Sequence, residues 1–172
     1  IDYKFNNIPA RYLLINNIPQ TNIAIEHPDN SLFMYVHAIS TIASVKKPLS
    51  DVLLCGLGGG SLYQEFSKLG FTIDVVEIDK RMIEISKKFF SLNLNENIIV
   101  DDCRHYLQTS QKKYDIIIID VLNGEAPPSH LFTLQAFIAL KKNLKDDGMI
   151  IFEIPSYAYG SKGIVTASIF KT

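Results

Sequence analysis

The sequence predicts a doubly wound α/β fold with a mostly parallel sheet, and three observations carry that reading. Short, unbroken apolar runs such as Ile116-Ile117-Ile118-Ile119 and Met149-Ile150-Ile151-Phe152 suit strands covered by helices on both faces. Segments with apolar residues at helical spacing separate these runs, so strands and helices alternate. Third, an apolar strand ending at Cys55 leads straight into Gly56, Gly58, Gly59 and Gly60, a glycine turn at the start of a helix.

Taken in order, residues 1–28 read as a small β appendage and residues 29–172 as the α/β domain. In the appendage, Arg11 to Ile15 and a strand near Ile18 to Glu26 flank Asn16-Asn17, a pair suited to the positive φ of a tight hairpin turn. Leu32, Phe33, Val36, Ile39, Ile42 and Ala43 then recur at helical spacing and predict a helix leading into the core. Strands are expected at 51–55, 72–77, 97–100, 114–119 and 148–154. Helices are expected at 60–69, 80–92, 104–110 and 129–144, the last capped by Ser129. Right-handed crossovers would place ligands at the carboxyl ends of the strands.

Composition narrows the function classes. The chain has 172 residues, enough for one domain with a real core, with 47% hydrophobic and 20% charged residues. A net charge of −1, with the Lys pairs scattered, argues against a nucleic-acid partner held by a broad basic surface. Cys55 and Cys103 are too few and too unlike in context for a disulfide scaffold or a zinc site, and read as reduced thiols of a cytoplasmic protein. No apolar run approaches the roughly 18 residues of a membrane helix. The four histidines show no metal-ligand spacing, so no metal is expected, and His37 on the apolar helix reads as a core or interface residue.

The candidate site follows from the strand tips. Glu77 ends the second core strand beside the glycine loop at the end of the first. A carboxylate there accepts hydrogen bonds from a ribose diol while bare backbone approaches the ligand, so an adenosine-containing molecule is expected. A dinucleotide fingerprint wants glycine at its first, third and sixth positions. Counting from Gly56 the sixth is Ser61, and from Gly58 it is Tyr63, which weakens a nicotinamide reading. Asp101 and Asp102 follow the third strand; as a ligand pair they suit an adenine amino group, and as local structure they cap the next helix. Asp120 closes an otherwise apolar buried strand, where an unpaired charge is costly unless used. Tyr157 and Tyr159 follow the fifth strand and read either as acceptor-pocket walls or as surface packing.

At these residues the sequence resembles the spermidine synthase family of aminopropyltransferases, over roughly residues 11 to 154. Arg11 to Thr21 is similar to the family's amino-terminal hairpin, whose Gln, here Gln20, lies over the thionucleoside. Leu54 to Leu62 matches the glycine loop in register, and Val76-Glu77-Ile78-Asp79 the ribose-binding strand. Val100-Asp101-Asp102-Cys103-Arg104 fits the adenine-contacting segment, and Tyr114 to Phe132 matches the catalytic-loop segment without a gap. The resemblance implies a methyltransferase-like Rossmann core, S-adenosylmethionine or its decarboxylated form as cofactor, a small-molecule acceptor, polyamine biosynthesis, a homodimer and Asp120 as catalytic acid-base group.

The departures bear on the reaction. Putrescine-using members carry an Asp where this chain has Gly59 and a second Asp where it has Asn123. Their Tyr-plus-polar segment before the first long helix reads here as Ser31-Leu32-Phe33. A diamine needs a carboxylate at each ammonium, because an unpaired buried cation is expensive, and Glu125 in a Pro-rich loop is a weak substitute. With Gly59 nothing in the loop repels the carboxylate of S-adenosylmethionine itself, so the expectation is methyl or other alkyl transfer to an unnamed acceptor. A true aminopropyltransferase with an altered diamine site, in which Glu125 or Glu153 compensates, and a non-catalytic thionucleoside-binding module are the alternatives. Family members also continue through a further helix and hairpin after the fifth strand, so the acceptor pocket is either completed beyond Thr172 or more open.

Overall fold

The computed structural model describes residues 1–94, 97–121 and 128–154. Three antiparallel strands open the chain: β1 (Asp2–Phe5), β2 (Ile8–Ile15) and β3 (Ile18–Ala24). Both connections are Asn-Asn pairs in the left-handed region, with φ of 49° and 67° at Asn6-Asn7 and of 50° and 64° at Asn16-Asn17. This is the backbone a two-residue hairpin demands, and Asn tolerates it better than other non-glycine residues. The second turn is the one expected; the first hairpin was not anticipated, because β1 is short and mostly polar.

The core alternates strands and helices: α1 (Met34–Ala43), β4 (Asp51–Cys55), α2 (Ser61–Lys68), β5 (Thr72–Glu77), α3 (Lys80–Phe89), β6 (Ile98–Val100), α4 (Cys103–Thr109), β7 (Tyr114–Ile119), α5 (Leu134–Lys142) and β8 (Leu144–Phe152). The strands form one parallel sheet in the order β6-β5-β4-β7-β8. Successive strands run outward from β4 to one side and then from β7 to the other. The chain therefore changes direction between β4 and β7, and the loops leaving those two strands part to form a crevice.

Alternate residues of the central strands feed two apolar layers, as the period of a strand requires. Val52, Leu54, Ile116 and Ile118 pack with Val36 and Ile39 of α1 and Leu62 and Phe66 of α2. Leu53, Ile117 and Ile119 pack on the other face with Leu107 of α4 and Ala139 and Leu140 of α5. Each fully buried Ile or Leu stabilises the fold by about 1.5–3 kcal/mol. Asp74 is buried within β5 yet satisfied, accepting from the Tyr114 hydroxyl and from Lys112 Nζ, both at 2.7 Å.

Three expectations need correction. The helix over 129–144 is split: Ser129–Phe132 is a 3-10 turn, and α5 starts after Thr133, whose hydroxyl accepts from the Ala136 N–H. Ser129 is therefore not its cap. The last strand begins at Leu144 rather than 148, with a register shift that pairs Tyr114 with Leu144 but Ile116 with Met149. Finally, Cys55 and Cys103 are joined in a disulfide, not free thiols. They are 48 residues apart in sequence, but β4 ends where α4 begins, and the Cα–Cα separation of 5.8 Å lies in the bridging range.

Candidate functional site

The glycine loop after β4 is shaped by two close approaches. Gly56 has φ +92°, and a Cβ there would lie 2.1 Å from the main-chain oxygen of Asp120, so no side chain fits. Its N–H donates to Val76 O at 2.9 Å, and the Asp120 N–H donates to Cys55 O at 2.9 Å, which pins the tips of β5, β4 and β7 together. At Gly59 a Cβ would meet Thr21 of β3 at 2.6 Å, and the Gly59 N–H donates to the Thr21 hydroxyl at 2.7 Å. The amino-terminal sheet thus holds the loop from outside.

Glu77, at the end of β5, is 8% exposed. One carboxylate oxygen accepts from the Leu57 N–H and the other from the Asp79 N–H, each at 2.9 Å. These bonds fix the carboxylate at the crevice mouth, and each oxygen keeps a further acceptor site. Asp102 serves the structural role expected of it: one oxygen caps α4 by accepting from the His105 N–H, and the other lies 3.2 Å from His130 Nε2. The Asp101 carboxylate accepts from the Asp102 N–H and lies 2.7 Å from His105 Nδ1.

A cavity of about 670 Å³ opens at this edge of the sheet. It brings together Gln20, Gly56, Gly58, Glu77, Ile78, Asp101, Asp102, Cys103 and Asp120 from the sequence-predicted set. Gly59 and Gly60 are not on its wall; Gly59 faces Thr21, and a Cβ on Gly60 would meet Leu92 Cδ2 at 2.4 Å. Cys103 lines the cavity with its sulfur held by Cys55. Asn123, Glu125 and Tyr157 lie outside the described residues.

The electrostatic centre of the cavity is Asp120. Burial, and then the charge of Glu153, push its carboxyl from 3.8 up to about 7, while a hydrogen bond from the Tyr35 hydroxyl acts the other way. Burial also raises Glu153, and burial together with the two carboxylates raises Tyr35. Among the described residues no ion pair reaches Asp120 or Glu153. At the opposite end of the sheet Asp51 and Asp115 share Lys145, both at 2.8 Å. The fold ties acids to lysine at the amino ends of these strands; at the carboxyl ends Asp101 and Asp102 face His105 and His130, and among the described residues no cation pairs with Glu77, Asp120 or Glu153.

Sequence reasoning missed Tyr35 and Thr21 as site residues and named Glu153 only as a compensating acid of the aminopropyltransferase alternative. The aromatic residue before the first long helix was sought in Ser31-Leu32-Phe33; the hydroxyl that reaches Asp120 comes from Tyr35, in the first turn of α1. An isolated Tyr facing the strand tips from an apolar helix was the available signal. Glu153 follows an apolar strand that ends at Phe152, much as Asp120 follows β7, and that shared position is the signal for it.

Fold and crevice together define a methyltransferase-like α/β protein, with acidic residues at the strand tips around a glycine loop. A family model for the spermine/spermidine synthase domain matches residues 32–166, and the chain belongs to that family. A polyamine aminopropyltransferase of Thermoplasma volcanium is 32% identical over 129 residues, covering 71% of this chain and 47% of the relative. An N-terminal histidine N-methyltransferase of Emericella nidulans is 31% identical over 137 residues, covering 74% of this chain and 25% of the relative. The chain thus spans about half of the first relative and a quarter of the second. In fold it is similar to the spermidine synthase of Thermotoga maritima, with a TM-score of 0.68 at 19% identity, covering 99% of this chain and 62% of that one.

Proposed function

We propose that the chain is the donor-binding and catalytic part of an alkyltransferase that moves an aminopropyl group from decarboxylated S-adenosylmethionine to an amine. Membership of the spermine/spermidine synthase family and the activity named for the Thermoplasma relative support the choice of group. The observation that carries the chemistry is Asp120: a half-buried carboxyl that lines the cavity and is held at about 7, directly behind the loop that would face the donor's sulfur.

Glu77 would accept from the ribose hydroxyls, and the wall at Asp101 and Asp102 would border the adenine. An amine reaches the site as an ammonium and must lose a proton before it can attack. Asp120, ionised, takes that proton. The neutral nitrogen then attacks the carbon next to the sulfonium, the carbon–sulfur bond breaks, and its electron pair stays on sulfur to give a neutral thioether. The new secondary ammonium carries the positive charge away, and Asp120 releases its proton to solvent. The pocket's main task is alignment of nitrogen, carbon and sulfur.

Methyl transfer from S-adenosylmethionine is the second reading, and Gly59 favours it. The loop offers no carboxylate to repel that of the intact donor, and Thr21 fills the space an Asp side chain would need. The Emericella relative, named a methyltransferase, accords with it. Mass spectrometry of reactions with each donor and a linear diamine separates the two. Methylthioadenosine as the co-product supports aminopropyl transfer, S-adenosylhomocysteine supports methyl transfer, and neither product with either donor refutes the transferase reading. The homodimer implied by the resemblance belongs to the same proposal, and light scattering checks it; the cytoplasmic reading rested on Cys55 and Cys103 as reduced thiols, which the structure joins instead.

A further inference from the structure

The Cys55–Cys103 bridge joins two walls of the crevice. Cys55 is the last residue of β4, next to Gly56, and Cys103 is the first residue of α4, next to the capping Asp102. Both are buried, Cys55 at 0% and Cys103 at 6% exposure, in the apolar layer with Leu53, Val76, Leu107 and Ile119. Cys103 lines the cavity and Cys55 does not, so a reductant meets the bridge from inside the cavity, at the Cys103 sulfur. The chain has two cysteines, so neither has another partner within it.

We propose that this bridge is a thiol–disulfide exchange site in the cavity wall, and that its redox state sets the grip on the thionucleoside. This rests on the reading of the cavity as a nucleoside site and adds a control to it. The reductant is a dithiol. Its thiolate attacks the Cys103 sulfur, the bond to Cys55 breaks, and Cys55 leaves as a thiolate that takes a proton. The reductant's second thiolate then displaces Cys103, which is protonated in turn, and the reductant closes its own disulfide. Two electrons pass from dithiol to protein, and two protons end on the cysteines.

Reduction moves the walls because two unbonded sulfurs stand farther apart than the roughly 2.05 Å of a bonded pair. A close-packed core gives little room, and β4 is held between β5 and β7, so Cys55 stays. The movable partner is the start of α4. The far turn of that helix is tied by Asn143 Nδ2, which donates to Leu107 O at 2.6 Å. The displacement therefore falls on the near turn, which carries Asp102 and its contact to His130. The oxidised chain thus holds the adenine wall at a fixed distance from the glycine loop, and the reduced chain frees it. The coupling is reciprocal: the factor that reduction costs in nucleoside affinity, bound nucleoside returns as resistance to reduction.

Titration calorimetry with methylthioadenosine on the full chain, oxidised and then reduced with dithiothreitol, tests this clamp. Affinity is expected to fall at least about tenfold on reduction while far-UV circular dichroism stays unchanged. The double variant Cys55→Ser, Cys103→Ser should bind at the reduced level with or without dithiothreitol. In a redox titration read by thiol alkylation, methylthioadenosine saturating both forms should lower the midpoint by about 30 mV for that tenfold factor. Equal affinity before and after reduction, an unmoved midpoint, or a double variant as tight as the oxidised chain overturns the clamp. Loss of the dichroism signal on reduction overturns it too, by making the bridge a staple of the fold alone. Failure of the oxidised wild type to bind methylthioadenosine refutes the underlying nucleoside reading, and the clamp with it.

Discussion

Replacing Asp120 by asparagine keeps the shape of the side chain and removes a charge that the fold holds at a cost. Burial and Glu153 raise this carboxyl from 3.8 to about 7. At 1.36 kcal/mol for each tenfold change, that displacement penalises the ionised folded state by about 4 kcal/mol, an upper figure because the cavity opens to water. The sign follows from proton counting. Below about pH 4 the group is protonated in both folded and unfolded chains, and Asp120→Asn should be close to wild type in stability. Between about pH 4 and 7 the unfolded chain releases its proton while the folded chain keeps it, so wild type loses stability as pH rises. Above about 7 both are ionised and the gap levels off. Urea unfolding followed by far-UV circular dichroism at pH 5, 6, 7 and 8 reads this directly. The variant should gain on wild type across the series, by as much as about 4 kcal/mol at pH 8, while transfer falls by about 10²–10⁴-fold. A stability difference that is flat from pH 5 to 8, or a less stable variant at pH 8, would show that Asp120 is not the strained acid described here.

Three further outcomes are expected. Glu77→Gln leaves one of the Leu57 and Asp79 N–H groups facing an amide nitrogen, so stability should fall by about 1–3 kcal/mol and methylthioadenosine affinity by tenfold or more; calorimetry showing neither change would remove Glu77 from the site. Gly59→Asp forces a Cβ to within 2.6 Å of Thr21 and should cost about 1–3 kcal/mol in thermal unfolding, with Thr21→Ala restoring only part of it because the Cβ at 21 stays within 2.9 Å and the acceptor for the residue 59 N–H is lost; an undiminished melting temperature in the single variant contradicts the packing. Reducing the Cys55–Cys103 bridge, which spans 48 residues, should lower stability by up to about 4 kcal/mol on the chain-entropy account, and a titration finding two free thiols in unfolded, unreduced protein argues against the bridge.

Legibility in the sequence followed the range of the interactions. The parallel core was readable because its strands are unbroken apolar runs and its turns announce themselves with glycine or Asn-Asn. Glu77 and Asp120 were readable because each ends such a run. What stayed hidden depends on contacts between distant segments. Nothing near Cys55 or Cys103 announces that β4 and α4 meet there. Tyr35 looks like one more residue of an apolar helix until α1 packs against the tips of β7 and β8. Glu153 could be named only as one of two stand-in acids, because its neighbour Asp120 is 33 positions away in the chain. The extent of the last helix was misjudged because the Thr133 hydroxyl, a local competitor for backbone donors, interrupts an otherwise continuous apolar pattern.

The hydrogen bond between Thr21 and Gly59 joins positions 38 apart. Its consequence is that the glycine-rich segment does not carry its own shape. Transplanted into another scaffold without the opening hairpins, it would keep its flexible residues but lose the anchor that settles them, and Gly59's amide would have to find another acceptor. Swapping that front sheet among cousins of this chain should therefore retune ligand grip as surely as editing the loop itself.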